Sequence, residues 1–93
     1  MAHDRAGRQR GSKFRWQAEY QQFLARLIEA RQAAKLTQRE VAAQLGRTQA
    51  FVWKCETGER RVDVVELAAF ARIYRKPLTF FAPFAGGTRS ERR

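Results

Sequence analysis

The stretch from Gln38 to Thr57, QREVAAQLGRTQAFVWKCET, constrains the fold more than any other part of the chain. Numbered from Gln38, it has a small residue at its fifth place (Ala42) and glycine at its ninth (Gly46). Apolar side chains fill its fourth, eighth, fifteenth and eighteenth places (Val41, Leu45, Val52, Cys55). Two short helices that cross steeply through a tight turn must come close at one point, and a small side chain is needed there. Ala42 meets that demand, with Val52 as its expected contact. Gly46 allows the turn, because glycine takes the left-handed conformation that closes many helices. The six places together, preceded by the capping box TQRE, specify a helix-turn-helix.

The rest of the chain fits around that unit. Trp16, Tyr20, Phe23, Leu24, Leu27 and Ile28 recur at spacings of three and four, predicting an amphipathic first helix to about Ala34. A second helix follows Thr37, over 38–45. A third is expected over 48–56, with Thr48 as its cap and Gly58 near its end. DVVE repeats the capping logic at Asp63, and Val64, Leu67, Ala68 and Ala71 carry a fourth helix to about Tyr74. Pro77 suits the first turn of a short fifth helix holding Leu78 and Phe81. No stretch alternates apolar and polar residues long enough to be a strand. The expected architecture is a compact, all-α, five-helix domain over 16–83. It is flanked by a mobile basic arm (1–15) and a polar tail (84–93).

Charge narrows the partners. The 93 residues carry 19 Lys and Arg against 9 Asp and Glu, a net charge of +10. Residues 1–15 hold five basic side chains and one acid, and 84–93 hold three and one, so the tails supply +6 of the total. Tails of this kind serve either solubility or contact with phosphate. The single cysteine excludes an internal disulfide, and the single histidine, His3, leaves no zinc set; no cofactor is implied. No nucleophile–base pairing or phosphate loop suggests an enzyme. With no apolar leader and no run of eighteen apolar residues, the chain reads as cytoplasmic, with no membrane partner.

Phe51, Val52 and Trp53 stand in a row, and a helix turns about 100° per residue, so one core cannot cover all three. With Val52 at the centre of the inner face, Cys55 joins it and Phe51 and Trp53 lie on the flanks. Ala50 and Lys54 then fall near the outer pole. In a helix-turn-helix that pole faces the major groove of DNA, with the first turn closest to the base edges. Gln49 can therefore reach a base, since a Gln amide pairs with adenine N6 and N7. Lys54 suits a phosphate or guanine, and Ala50 offers a methyl group. Phe51 is expected either half-buried against the second helix or on DNA, and Trp53 either over the sugar-phosphate backbone or packed against the fourth helix or the N-terminal segment. Thr48 is a cap first and a phosphate donor second. Arg60 and Arg61, in the loop GERR, reach flanking phosphates or remain solvated. Cys55 reads as a small buried hydrophobe.

From about Tyr20 to Phe81 the chain also resembles the Xre family of lambda-repressor-like domains. The residues that carry the resemblance are LIEARQAAKLTQREVAAQLG and VWKCETGERRVDVVELAAFARIY. The resemblance implies an ion pair between Arg31 and Glu56 that ties the third helix to the first. It also implies a grip of Gln38 on the DNA backbone, where the start of the second helix already favours phosphate. Two places depart from the family pattern: Cys55 stands where a larger residue is usual, and Arg47 adds positive charge to a turn that is often apolar. The implied function is a sequence-specific double-stranded DNA-binding regulator, a repressor, working as a homodimer on a palindromic operator. LTFFAPF (78–84) is the expected dimer surface, with Phe80 or Phe84 folded back onto Trp16 as the alternative. The alternative is an antitoxin-type module that binds a protein toxin as well as its operator.

Overall fold

The structure, a computed structural model, describes residues 2–85, with side chains for residues 17–85. Five helices follow one another: α1 (Ala2–Ala33), α2 (Gln38–Leu45), α3 (Gln49–Thr57), α4 (Val64–Tyr74) and α5 (Leu78–Phe81). Among the described residues there is no strand, and no helix is long and apolar enough to cross a membrane. The polar tail beyond residue 85 and any packing on the Trp16 side chain lie outside the described residues.

Three of the helix starts follow their sequence signals. Thr37 Oγ1 accepts the Glu40 N–H at 3.0 Å while Glu40 Oε1 accepts the Thr37 N–H at 2.8 Å, a complete capping box. Asp63 and Glu66 repeat it at the head of α4, at 2.7 and 3.0 Å. Thr48 Oγ1 accepts the Phe51 N–H at 3.1 Å and so satisfies one of the unpaired donors that open α3.

The start of α1 differs from expectation. The helix begins at Ala2 rather than near Trp16, so the expected division between arm and domain is not a break in the helix. The residues before Trp16 have no apolar period to announce a helix. They contain no proline, however, and their Ala, Arg, Gln and Lys extend an established helix without a new nucleation cost.

The helix ends show why α2 and α3 can sit so close. Gly46 takes φ 71°, and the Gly46 and Arg47 N–H groups donate back to Ala43 and Ala42 at 3.2 and 2.9 Å. The chain thus reverses within three residues, and Ala42 and Val52 are both buried at the crossing. α1 and α4 close with the same left-handed geometry on Lys35 (φ 60°) and Arg75 (φ 58°), places that carry no glycine signal.

The core runs through all five helices. Leu27, Val41, Val52, Cys55, Phe70 and Phe81 are its largest fully buried side chains, and each such burial of a large apolar group contributes roughly 1.5–3 kcal/mol. Two expectations are corrected here. Val64, expected on the inner face of α4, is exposed; that face begins one turn later, with Leu67 half-buried and Phe70, Ala71 and Tyr74 buried. Phe81, expected in the dimer surface, is fully buried. A one-turn helix such as α5 is held only by burying its inward side chain.

Candidate nucleic-acid interface

Burial divides α3 cleanly. Phe51, Val52, Cys55 and Glu56 face the core, while Gln49, Ala50, Trp53, Lys54 and Thr57 are exposed. The centre of the inner face therefore lies between Val52 and Cys55, not on Val52 itself. That small rotation separates the two aromatics expected on the flanks. Phe51 is a core residue, 8% exposed, and does not reach a ligand across the outer surface; the reading of it as a DNA contact is corrected. Trp53 is 44% exposed and stands toward the outer pole, beside Ala50 and Thr57. Cys55, a small side chain, is fully buried on the same edge of α3 as Phe51, which precedes it by one turn.

A chain of hydrogen bonds fixes the start of α3 to the scaffold. Arg31 Nε donates to Glu56 Oε2 at 2.6 Å, Nη2 donates to Glu56 Oε1 at 3.1 Å, and Nη1 donates to the Leu36 carbonyl at 3.0 Å. Glu56 is 5% exposed, so this pair is the support for a buried carboxylate. The same bonds hold the Arg31 guanidinium further into its charged range. Gln38 Nε2 also donates to Glu56 Oε1, at 2.9 Å, and Gln38 Oε1 accepts from Gln49 Nε2 at 3.2 Å. An acceptor at Glu56 thus sets which way the Gln38 amide points, and Gln38 in turn sets Gln49. The Gln49 carbonyl oxygen and its second N–H have no partner among the described residues, leaving one acceptor and one donor presented outward.

The cations fall into three groups. Arg47, in the turn, is exposed, with its guanidinium 4.0 Å from the centre of the Phe51 ring and no acidic partner among the described residues. Arg60 also lies over that ring, at 4.8 Å, but its two terminal nitrogens donate to Glu66 Oε1 and Oε2, both at 2.8 Å. Arg61 sits 4.2 Å over the Tyr20 ring of α1, so of the two loop arginines neither is an unengaged cation. Lys54 is exposed on the outer surface. The Arg60 guanidinium pulls the Glu66 carboxyl below its ordinary range.

Two contributions were not legible as such in the sequence. Glu66 announces itself only as a capping residue, and its second bond needs the loop after α3 to fold back over α4. Tyr20 reads only as part of an apolar stripe, yet its hydroxyl accepts the Val62 N–H at 3.0 Å and pins the same loop to α1.

This arrangement, a short exposed helix braced by a second across a glycine turn, is a helix-turn-helix DNA-binding domain of the kind found in transcription regulators. A family model described as a helix-turn-helix domain matches residues 22–79. Among solved structures, an XRE-family like protein from Pseudomonas syringae pv. tomato str. DC3000 is 41% identical. Its TM-score is 0.75, over 84% of this chain and 95% of that one. A search of curated proteins finds no match. The chain belongs to the Xre family of helix-turn-helix proteins.

Proposed function

We propose that the protein is a sequence-specific regulator of transcription that lays the outer face of α3 in the major groove of double-stranded DNA. The observation that carries this reading is the exposed Gln49 amide, oriented by Gln38 and Glu56 and left with one donor and one acceptor. That pair matches N7 and the N6 amine of adenine, and no other base edge offers the same acceptor–donor pattern. Gln38 and Thr48, at the starts of α2 and α3, take the backbone on one side. Arg47 and Lys54 supply charge to flanking phosphates, and Ala50 leaves room for the bases. Arg60 and Arg61 play a lesser electrostatic part, since each already has a partner.

One such helix covers only a few base pairs, so the protein acts as a homodimer on a palindromic operator, with the two helices about 34 Å apart. Leu78 and Phe84, 47% and 37% exposed, support an apolar contact between copies. In this reading it is a repressor, because a small domain seated on an operator blocks access to it. Selection of bound sequences from random DNA tests the proposal. A symmetric consensus, held with about 10³-fold or greater preference over random competitor, is the expected result. Binding that random DNA competes away equally well would leave only a nonspecific coating activity.

A further inference from the structure

The outer face of α3 carries one large apolar group that the described residues leave partly open to solvent. Trp53 is 44% exposed, with no aromatic or cationic partner among the described residues. On either side stand small groups, Ala50 and Thr57, which leave the indole unobstructed. Trp53 also lies four residues after Gln49, and residues at that spacing are neighbours along one side of a helix, about 5–6 Å apart. Successive base pairs are about 3.4 Å apart. A helix that brings the Gln49 amide to one base pair therefore brings the indole over the next or the one after.

At that place the indole meets a surface of base edges that is almost wholly polar. Donors and acceptors line the major groove, and the one apolar group there is the C5-methyl of thymine. A flat indole with a single N–H cannot satisfy the paired acceptors of guanine or the amine of cytosine, but it can cover a methyl group. We infer that Trp53 is a specificity-determining residue that reads a thymine through its C5-methyl, one or two base pairs from the pair addressed by Gln49. The inference rests on the proposed DNA-binding function and adds to it a second base, of a stated kind and position.

Replacing thymine by uracil in a selected binding site removes the methyl and leaves base pairing intact. The wild-type protein is expected to bind about fourfold more weakly for each such methyl lost at the one critical position, the equivalent of one buried carbon. Uracil elsewhere in the site should have no comparable effect. Trp53→Ala should bind both forms alike, and Trp53→Leu, which keeps an apolar side chain, should retain part of the preference. Circular dichroism and melting of both variants are expected to match wild type, since the side chain is outside the core. If wild type tolerates uracil at every thymine, or if Trp53→Ala shows the same uracil penalty, the inference is overturned while sequence-specific binding stands. If no sequence is preferred in the selection at all, the DNA-binding reading fails first and takes the inference with it.

Discussion

Arg31 and Glu56 are 25 residues apart in sequence and are joined by two hydrogen bonds of 2.6 and 3.1 Å between α1 and the inner face of α3. The pair does more than hold two helices together. Glu56 Oε1 also receives the Gln38 amide, so the charge that anchors α3 is the reference for a side chain on the binding surface. One carboxylate thus holds both the anchoring arginine and the amide that meets Gln49.

The first prediction separates those two roles. Arg31→Ala or Glu56→Ala strands one member of a largely buried pair and should cost about 3 kcal/mol. In a domain of this size that lowers the melting temperature by more than about 10 °C. A paired apolar replacement, Arg31→Met with Glu56→Leu, should recover much of the stability. It should not recover selectivity for adenine, because Gln38 no longer has Glu56 to orient it. Melting curves of the single variants that overlay wild type would show that the bond holds little.

Gln49→Ala should act at one position of the binding site. The loss of two hydrogen bonds to adenine relaxes discrimination there by roughly 1–3 kcal/mol and leaves the other positions unchanged. A matrix of single-base variants of the selected site, bound by wild type and variant, gives the comparison. Uniform weakening over all sites would mean that Gln49 touches only the backbone.

Phe51 and Trp53 show where sequence reading runs out. The helix-turn-helix was legible because its signals are local: a capping box, a small residue, a glycine, and apolar places at fixed spacing. The exact rotation of α3 was not, because it depends on packing against helices distant in sequence. A shift of under one residue in the inner face moves Phe51 into the core and leaves Trp53 outside. The same limit hid Val64, assigned to a face by period alone, and Phe81, assigned to the dimer surface as part of an apolar run. The partners of Arg60 and Arg61 needed a loop path that no short-range pattern specifies. Phe51→Ala should accordingly cost about 3–5 kcal/mol, as a deleted core aromatic does, whereas Trp53→Ala should leave the melting temperature nearly unchanged. Equal melting temperatures for the two variants would contradict this division of the face.

Salt dependence distinguishes the arginines. Neutralising a side chain that meets a phosphate lowers the slope of log affinity against log salt by about one. Arg47→Ala is expected to do so, since its guanidinium is exposed and without an acidic partner among the described residues. Arg60→Ala should change the slope less, because Glu66 already offsets that charge. Equal changes would mean that DNA draws Arg60 away from Glu66.

The Arg60–Glu66 pair also makes a prediction about acid. Arg60 lowers the Glu66 carboxyl below its ordinary value, so this carboxylate is held ionised by the folded state. A group with a lowered folded value stabilises the protein above its unfolded value, about 4.3 for Glu. That contribution is lost as pH falls through the lower folded one. Glu66→Gln isolates the effect, since Gln serves equally well in the capping box with Asp63 and only the ion pair disappears. Wild type should therefore exceed Glu66→Gln in stability by a constant margin at neutral pH, and the margin should shrink below about pH 4. Denaturant unfolding of both proteins between pH 7 and pH 3 measures it. A margin that is the same at both ends would place the contribution of Glu66 in its packing rather than in its charge.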